Sequence, residues 1–175
     1  MPTIHLETFV AAPAEVCFDL CLNVNLHERA GHGRAVEGVT SGQMFLGDTV
    51  TWEAVHFFTR HRLTSKIVAY ERPRLFVDEM QRGAFARWRH THRFVEQQGG
   101  TLMIDDVDFA SPLGVLGKIA DAVLLKNYMT RFLVRHNRYF KQFAESKAMT
   151  RGEGDQLDSE NIKAVWSAGS QSSGN

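Results

Sequence analysis

The sequence predicts an α+β domain: a first strand, two short helices, an antiparallel meander that brings the total to about seven strands, and a long C-terminal helix. Residues 35–109 break into short β-branched or aromatic runs separated by Gly, Pro and polar residues, the pattern of strands joined by tight turns. Residues 113–147 instead repeat their apolar side chains at helical spacing. The N-terminal run ends at Ala12-Pro13, where proline suits the first turn of a helix.

In chain order, Thr3 to Val10 reads as strand, and Glu15 to Leu22 as a short helix. NVNLHERAGHGR (23–34) reads as a turn and a second short helix ended by Gly31 and Gly33. A short run at 35–40 precedes five longer ones at 48–58, 61–70, 74–82, 85–96 and 101–109. QQGG (97–100) is the clearest hairpin turn, and Tyr70 to Arg74 with Pro73 is another. At 100° per residue, Leu116, Ile119, Ala120 and Val123 share one face, whereas Leu125, Tyr128, Met129, Phe132, His136, Tyr139, Phe140 and Phe143 share a face roughly opposite. One straight helix cannot bury both stripes against one sheet. We therefore expect a short helix over 113–123, a kink or turn near 124–126, and a long helix to about Lys147. Beyond Met149 the text turns to Gly, Ser and charge, which predicts one domain over 1–148 and a flexible tail over 149–175.

Twenty basic and 20 acidic side chains give a formal charge of zero, so nothing draws the chain onto phosphate backbones and no nucleic-acid partner is expected. The N-terminus lacks the pattern of a signal peptide, and no stretch approaches the roughly 20 apolar residues of a membrane span; a cytoplasmic location is expected. Cys17 and Cys21, four apart on one helical face, read as two buried thiols rather than a disulfide or a metal pair. PLGVLG lacks the lysine and the strand-to-helix context of a phosphate loop. Oligomeric state is not legible.

The element order, together with NVNLH (23–27), GDTVTWEAVHF (47–57), DEMQRGAF (78–85), RWRHTHRF (87–94), GGTLMIDDVDFASPLGVLG (99–117) and RHNRYFKQFAE (135–145), resembles the START-like or SRPBCC helix-grip superfamily. Within it the wording is similar to a bacterial group labelled cyclase/dehydrase-like or cell-division-inhibitor-associated. The resemblance spans about residues 3–147. It implies a curved sheet gripping the last helix around a cavity that takes a small hydrophobic molecule, whether lipid, polyketide-like or aromatic. The sequence departs from the group at Phe58, where glycine follows the His-Phe pair. Superfamily members include lipid carriers, hormone binders, cyclases and oxygenase subunits, so the fold alone selects no function.

Strand parity then nominates the residues facing such a cavity. Arg87, Arg89 and Arg93 oppose Trp88, His90, His92 and Phe94, so the second set points inward. Similar reasoning turns Val50, Trp52, Ala54, His56 and Phe58, then Phe76, Asp78 and Met80, then Thr101, Met103, Asp105, Val107 and Phe109 to the interior. The arginine face reads as a solvated surface paired with Glu71, Glu79 and Glu96, with peripheral contact to anionic lipid headgroups as the alternative. The ligand-binding candidates are Trp52, His56, Asp78, Trp88, His90, His92, Phe94, Asp105 and Phe109 from the sheet. His27 of NVNLH, and Phe132 and His136 of the last helix, join them. His32 reads as a capping or surface histidine, and His5 and His61 as structural or exposed.

Buried imidazoles need partners, because a neutral ring carries one donor and one acceptor. Three arrangements satisfy them. Asp78 or Asp105 orients His90 or His92 within a closed core network; or the histidines orient the polar end of a bound molecule. In the third, His90, His92 and Asp105 move a proton in cyclase or dehydratase chemistry, since histidine titrates near neutrality and aspartate holds its tautomer. His90-x-His92 with His56 or an Asp also imitates a metal site, but His-x-His is common in strands, and no metal and no cofactor is expected.

Overall fold

Alternation of wet and dry side chains decides the sheet. A computed structural model of the chain describes residues 3–56, 58–110 and 125–169, with His56 and residues 151–169 as backbone only. The elements run β1 (Thr3–Val10), α1 (Ala14–Cys21), α2 (Val24–Arg29), β2 (Arg34–Gly38), β3 (Thr49–His56), β4 (Thr59–Glu71), β5 (Leu75–Arg82), β6 (Arg87–Gln97), β7 (Gly100–Ala110) and α3 (Lys126–Gly169). The seven strands form one sheet in the order β1-β7-β6-β5-β4-β3-β2, with every neighbouring pair antiparallel. In β6, Trp88, His90, His92 and Phe94 are buried while Arg87 and Arg93 are exposed; in β7, Thr101, Met103, Asp105, Val107 and Phe109 are buried. Both parities are those the sequence predicts.

β1 pairs with β7 at one edge and β2 lies at the other, so α1 and α2 carry the chain from edge to edge. α1 packs on α3, β6 and β7. It buries Cys17, Phe18, Leu20 and Cys21. The Phe18 ring meets Tyr70, Phe76 and Phe94 edge-on at 5.2, 5.6 and 5.5 Å, which wedges α1 against the centre of the sheet. α2 starts where the Asn23 side chain accepts the Leu26 N–H at 3.1 Å, an N-cap. Both cysteines are free and buried, and burial pushes Cys17 up to about 11 and Cys21 well above its ordinary value, so neither is a ready nucleophile.

α3 lies against β1 and α1, burying Leu133, Phe140 and Ala144. Glu145 accepts the Ala11 N–H at 2.9 Å and pairs with Lys141, whose Nζ also donates to the Phe9 carbonyl, tying the helix to the end of β1. Ala148 still packs on the core, and Met149 is 70% exposed. The backbone nonetheless continues as helix to Gly169, past the point where the sequence reads as a tail. The expected short helix over 113–123 falls outside the described residues. Among the described residues, no helix is long and apolar enough to cross a membrane.

The outer sheet face neutralises itself. Arg89 pairs with Glu79, Arg93 with Asp106, and Arg62 with Glu53 at 2.9 Å. Of the acids expected from sequence, Glu79 takes Arg89 and Glu71 takes Arg74, whereas Arg60, Arg62 and Arg93 go to Glu53 and Asp106, which were not expected. Partner choice follows cross-strand register, which parity does not reveal.

The β3–β4 hairpin closes between His56 and Thr59, and Phe58 within it sits at φ +64 with its ring fully exposed (103%). Strand parity predicts Phe58 inward, but the left-handed turn residue leaves the alternation of β3 and its ring lies in solvent. A left-handed backbone costs a Cβ-bearing residue ~1–2 kcal/mol, whereas glycine adopts it freely. Phe58→Gly is therefore expected to stabilise the protein by about 0.5–1 kcal/mol after glycine's larger unfolded-state entropy is subtracted. Urea unfolding checks this, and a loss of stability would mean that the Phe58 ring has a partner.

Candidate functional site

A cavity of about 430 Å³ opens between the sheet and α3. Apolar side chains of α2, the loop before β3, the strands β3 to β6 and α3 line it, among them Val24, Met44, Trp52, Ile67, Trp88 and Leu133. Six of the chain's eight histidines face it: His27, His32, His61, His90, His92 and His136. An apolar pocket that collects most of a protein's imidazoles is not a generic core, because buried neutral rings cost free energy wherever partners are missing.

One polar cluster lies on the sheet wall. Register places Asp78 opposite His90 across β5 and β6, and His92 opposite Asp105 across β6 and β7. Asp105 Oδ1 accepts from His90 Nε2 at 3.0 Å and from His92 Nδ1 at 2.9 Å, while its Oδ2 accepts from Asn137 Nδ2 of α3 at 2.6 Å. On the other side, Asp78 Oδ2 accepts from His92 Nε2 at 3.2 Å and stands 3.9 Å from His90 Nδ1. Two carboxylates and two imidazoles thus form a ring of alternating type. The imidazole centroids lie 3.7 Å apart with the rings tilted by 34°, and Phe76 stacks on His92 at 4.1 Å.

Charge follows from this geometry. A carboxylate only accepts, so His92, with a carboxylate on each nitrogen, is a doubly protonated imidazolium. Burial opposes that charge, but the hydrogen bonds and charges of Asp105 and Asp78 together outweigh it and raise His92 to about 9. Burial likewise opposes the ionised aspartates; the bonds from His90 and His92 prevail at Asp105, those from His92 and its neighbours at Asp78, and both stay below the usual carboxylate range.

The second cluster faces the first from the helices. His27 of α2, His32 after it and His136 of α3 have ring centroids 4.8–5.1 Å apart, with Trp52 and Phe140 against them. His27 Nδ1 donates to the Asn23 carbonyl at 3.1 Å, and one of His32 and His136 donates to the other, Nδ1 to Nδ1, at 3.4 Å. Among the described residues, no carboxylate hydrogen-bonds to the trio. Burial, reinforced by the neighbouring imidazoles, lowers His27 to about 4 and holds His32 and His136 well below the ordinary histidine value. The cavity is therefore bordered by an ionised wall and a neutral one.

Of the residues nominated from sequence, Trp52, Asp78, Trp88, His90, His92, His27, Phe132 and His136 line the cavity. Asp105 does not; it lies behind the imidazole pair as its anchor. Phe94 packs into the core between Phe18 and Phe76, and Phe109 packs on Trp88 and Phe85, so both are inward but taken up by their neighbours. His56 belongs to β3, and its side chain lies outside the described set. His32 and His61, read as surface or structural, both face the cavity instead. Gly31 and Gly33, at φ +88 and +109, turn the chain on either side of His32, and the Gly33 position approaches the Glu53 carbonyl too closely for a Cβ. His61 pairs with Ala54 and shares the inward parity of Leu63 and Ser65, a signal available in the strand itself. Asn137 had no sequence signal.

No protein-family model matches the chain, and no curated protein matches it in sequence. Solved structures do. A Thermus thermophilus protein, TTHA0849, superposes with a TM-score of 0.69 at 14% identity, covering 84% of this chain and 99% of that one. One part of the di-domain ARO/CYC protein StfQ, from the steffimycin biosynthetic pathway, superposes at 0.67 and 15% identity, covering 83% of this chain and 51% of that one. Norcoclaurine synthase from Thalictrum flavum does so at 0.60 and 15%, covering 81% and 85%. The chain has the START-like helix-grip fold. A helix-grip sheet with β1 and β2 at opposite edges accounts for the position of the cavity, which opens where the sheet curves away from α3. At these identities the likeness reaches the fold and not the chemistry.

Proposed function

We propose that this helix-grip protein binds a small hydrophobic molecule, such as a lipid, a polyketide-like compound or an aromatic, in the cavity between sheet and α3. The observation that carries the reading is the cavity itself: about 430 Å³, apolar over most of its wall, with polar groups gathered at two places. Drug-sized ligands occupy pockets of roughly 300–1,000 Å³ built in this way, where apolar area supplies affinity and a few polar groups set orientation. Both nitrogens of His92 are taken by carboxylates, so on the ionised wall it is His90 Nδ1, 3.9 Å from Asp78 and beyond hydrogen-bond reach of it, that suits a ligand hydroxyl. The free ring nitrogens of the neutral trio suit a hydroxyl, so a ligand polar at two ends fits both walls.

Ser65, a small residue on the cavity wall, provides the test. Ser65→Phe is expected to fill the cavity and lower affinity for a fluorescent apolar probe at least tenfold while leaving Tm unchanged or higher. A destabilisation of ~1–3 kcal/mol, the usual result of overpacking a filled core, would refute the reading. Native mass spectrometry of freshly purified protein, followed by organic extraction, identifies a retained molecule.

One observation favours a second reading, a cyclase or dehydratase-like enzyme. Asp105 takes the His90 Nε2–H and so fixes that ring's tautomer, leaving Nδ1 at the apolar wall as the acceptor a general base needs. Incubation with the extracted molecule separates the two: a carrier returns it unchanged, and an enzyme converts it with a rate that His90→Gln abolishes.

A further inference from the structure

We infer that Asp78, His90 and His92 form a binding site for a divalent first-row transition ion, held by Asp78 Oδ2, His90 Nδ1 and His92 Nε2, with Asp105 as the group that orients both imidazoles. The ligating atoms of the three residues all lie within 4.8 Å of one another. Ligands at ~2.0–2.1 Å around a tetrahedral ion stand about 3.3–3.4 Å apart. Asp78 Oδ2 lies 3.2 Å from His92 Nε2 and 3.9 Å from His90 Nδ1, which brackets that spacing. The longer separation is too great for a hydrogen bond, so His90 Nδ1 makes none to Asp78.

The decisive feature lies behind the rings. Asp105 takes the remaining N–H of each imidazole, His90 Nε2 and His92 Nδ1, on a single oxygen, and is itself held by Asn137. Metal-ligating histidines characteristically donate their other N–H to a carboxylate, which fixes tautomer and ring orientation. Here one carboxylate does so for two rings at once. Parity alone shows His-x-His, which is common; it does not show the anchor, and that is why the sequence carries no expectation of a metal. Two imidazoles and one carboxylate, without thiolate, make a donor set for zinc or iron(II) rather than for calcium or magnesium. All three ligands line the cavity, so the open coordination position faces it. Use of that position by a ligand oxygen rests on the binding reading above, whereas ion binding does not. On binding, the ion displaces the proton held between His92 Nε2 and Asp78, and one proton is released to solvent.

The experiment titrates Zn²⁺ into chelator-stripped full-length protein by calorimetry, with Co²⁺ absorption as a second probe. The expected result is one ion per chain, affinity lowered at least 100-fold in His90→Gln and His92→Gln, 10–100-fold in Asp105→Asn, and unchanged in His5→Gln, on the outer sheet face. Long-range ¹H–¹⁵N spectra of the wild-type rings decide the matter if a variant fails to fold. Zn²⁺ should shift His90 Nδ1 and His92 Nε2 while His90 Nε2 and His92 Nδ1 stay protonated. Absence of binding, equal affinity in the glutamine variants, or shifts confined to His27, His32 and His136 would each overturn the inference. None of these outcomes depends on whether an apolar molecule binds.

Discussion

Asp105→Ala is expected to lower folding stability by about 3–5 kcal/mol, a fall in Tm on the order of 10 °C for a domain of this size. The mutation does more than delete three hydrogen bonds. It leaves the buried His92 imidazolium with Asp78 alone, takes the acceptor from His90 Nε2–H, and leaves the Asn137 amide only its long bond to Thr8 Oγ1 at 3.4 Å. A buried imidazolium that loses one of its two carboxylates, beside an imidazole N–H left with no acceptor, is costly because the interior screens charge poorly and water does not replace the lost partner. Asp106→Ala provides the control. Its carboxylate lies one residue away on the outer face, where it meets Arg93 and His5, and surface pairs contribute only ~0–1 kcal/mol. Urea unfolding of both variants at pH 7 checks the contrast; equal losses would show that the Asp105 ring is no more than another ion pair.

The second large effect is a loss of stability in mild acid. His27, His32 and His136 are held neutral in the fold, with His27 lowered to about 4, while each titrates near 6.5 in the unfolded chain. Between pH 6.5 and about 4.5 the unfolded state therefore binds more protons than the folded one, so stability falls as pH falls, by up to ~1.4 kcal/mol per unit for each histidine. Cavity water that reaches the rings reduces that figure. The carboxylates do not confuse this window. Asp78 and Asp105 have depressed values, so their contribution is present above the ordinary aspartate range and is lost only at lower pH. His92 acts on the other limb: raised to about 9, it contributes stability that is complete below pH 6.5 and lost as pH rises through 9. The stability profile should peak near pH 6.5–7. His136→Phe should flatten the acid limb by one proton, measured as the pH dependence of the urea midpoint; an unchanged slope would sink the assignment to the trio.

How much of this was legible in the sequence depends on the physical level. Which face of β6 is buried could be read directly, because arginines alternating with aromatics leave one choice; β7 has no arginine, and there Met103, Val107 and Phe109 competed with Leu102 and Ile104. The partnership of the inward residues could not be read. Asp78, His90, His92 and Asp105 were each visible as inward, but pairing either aspartate with either histidine was equally open, and only inter-strand register closes all four into one ring. His32 was misread for a different reason. Its direction is set by two left-handed glycines rather than by any periodicity, so a histidine in GHG looks like a surface turn until the backbone is known. Phe94 and Phe109 were correctly placed inward, yet an inward aromatic can pack on neighbours as easily as line a space. Cavity lining is a property of what fails to fill, which no single strand records.

The sheet order also sets a sequence of assembly. The ionised ring is built from β5, β6 and β7, consecutive strands joined by short connections, whereas β1 must wait for β7 and the histidine trio needs α2 and α3 together. Contacts closed over long separations form late, because loop closure costs entropy before burial returns it. During synthesis the charged wall can therefore form on a partial chain, while the cavity exists only once the last helix has emerged. A bound ligand reports a finished fold.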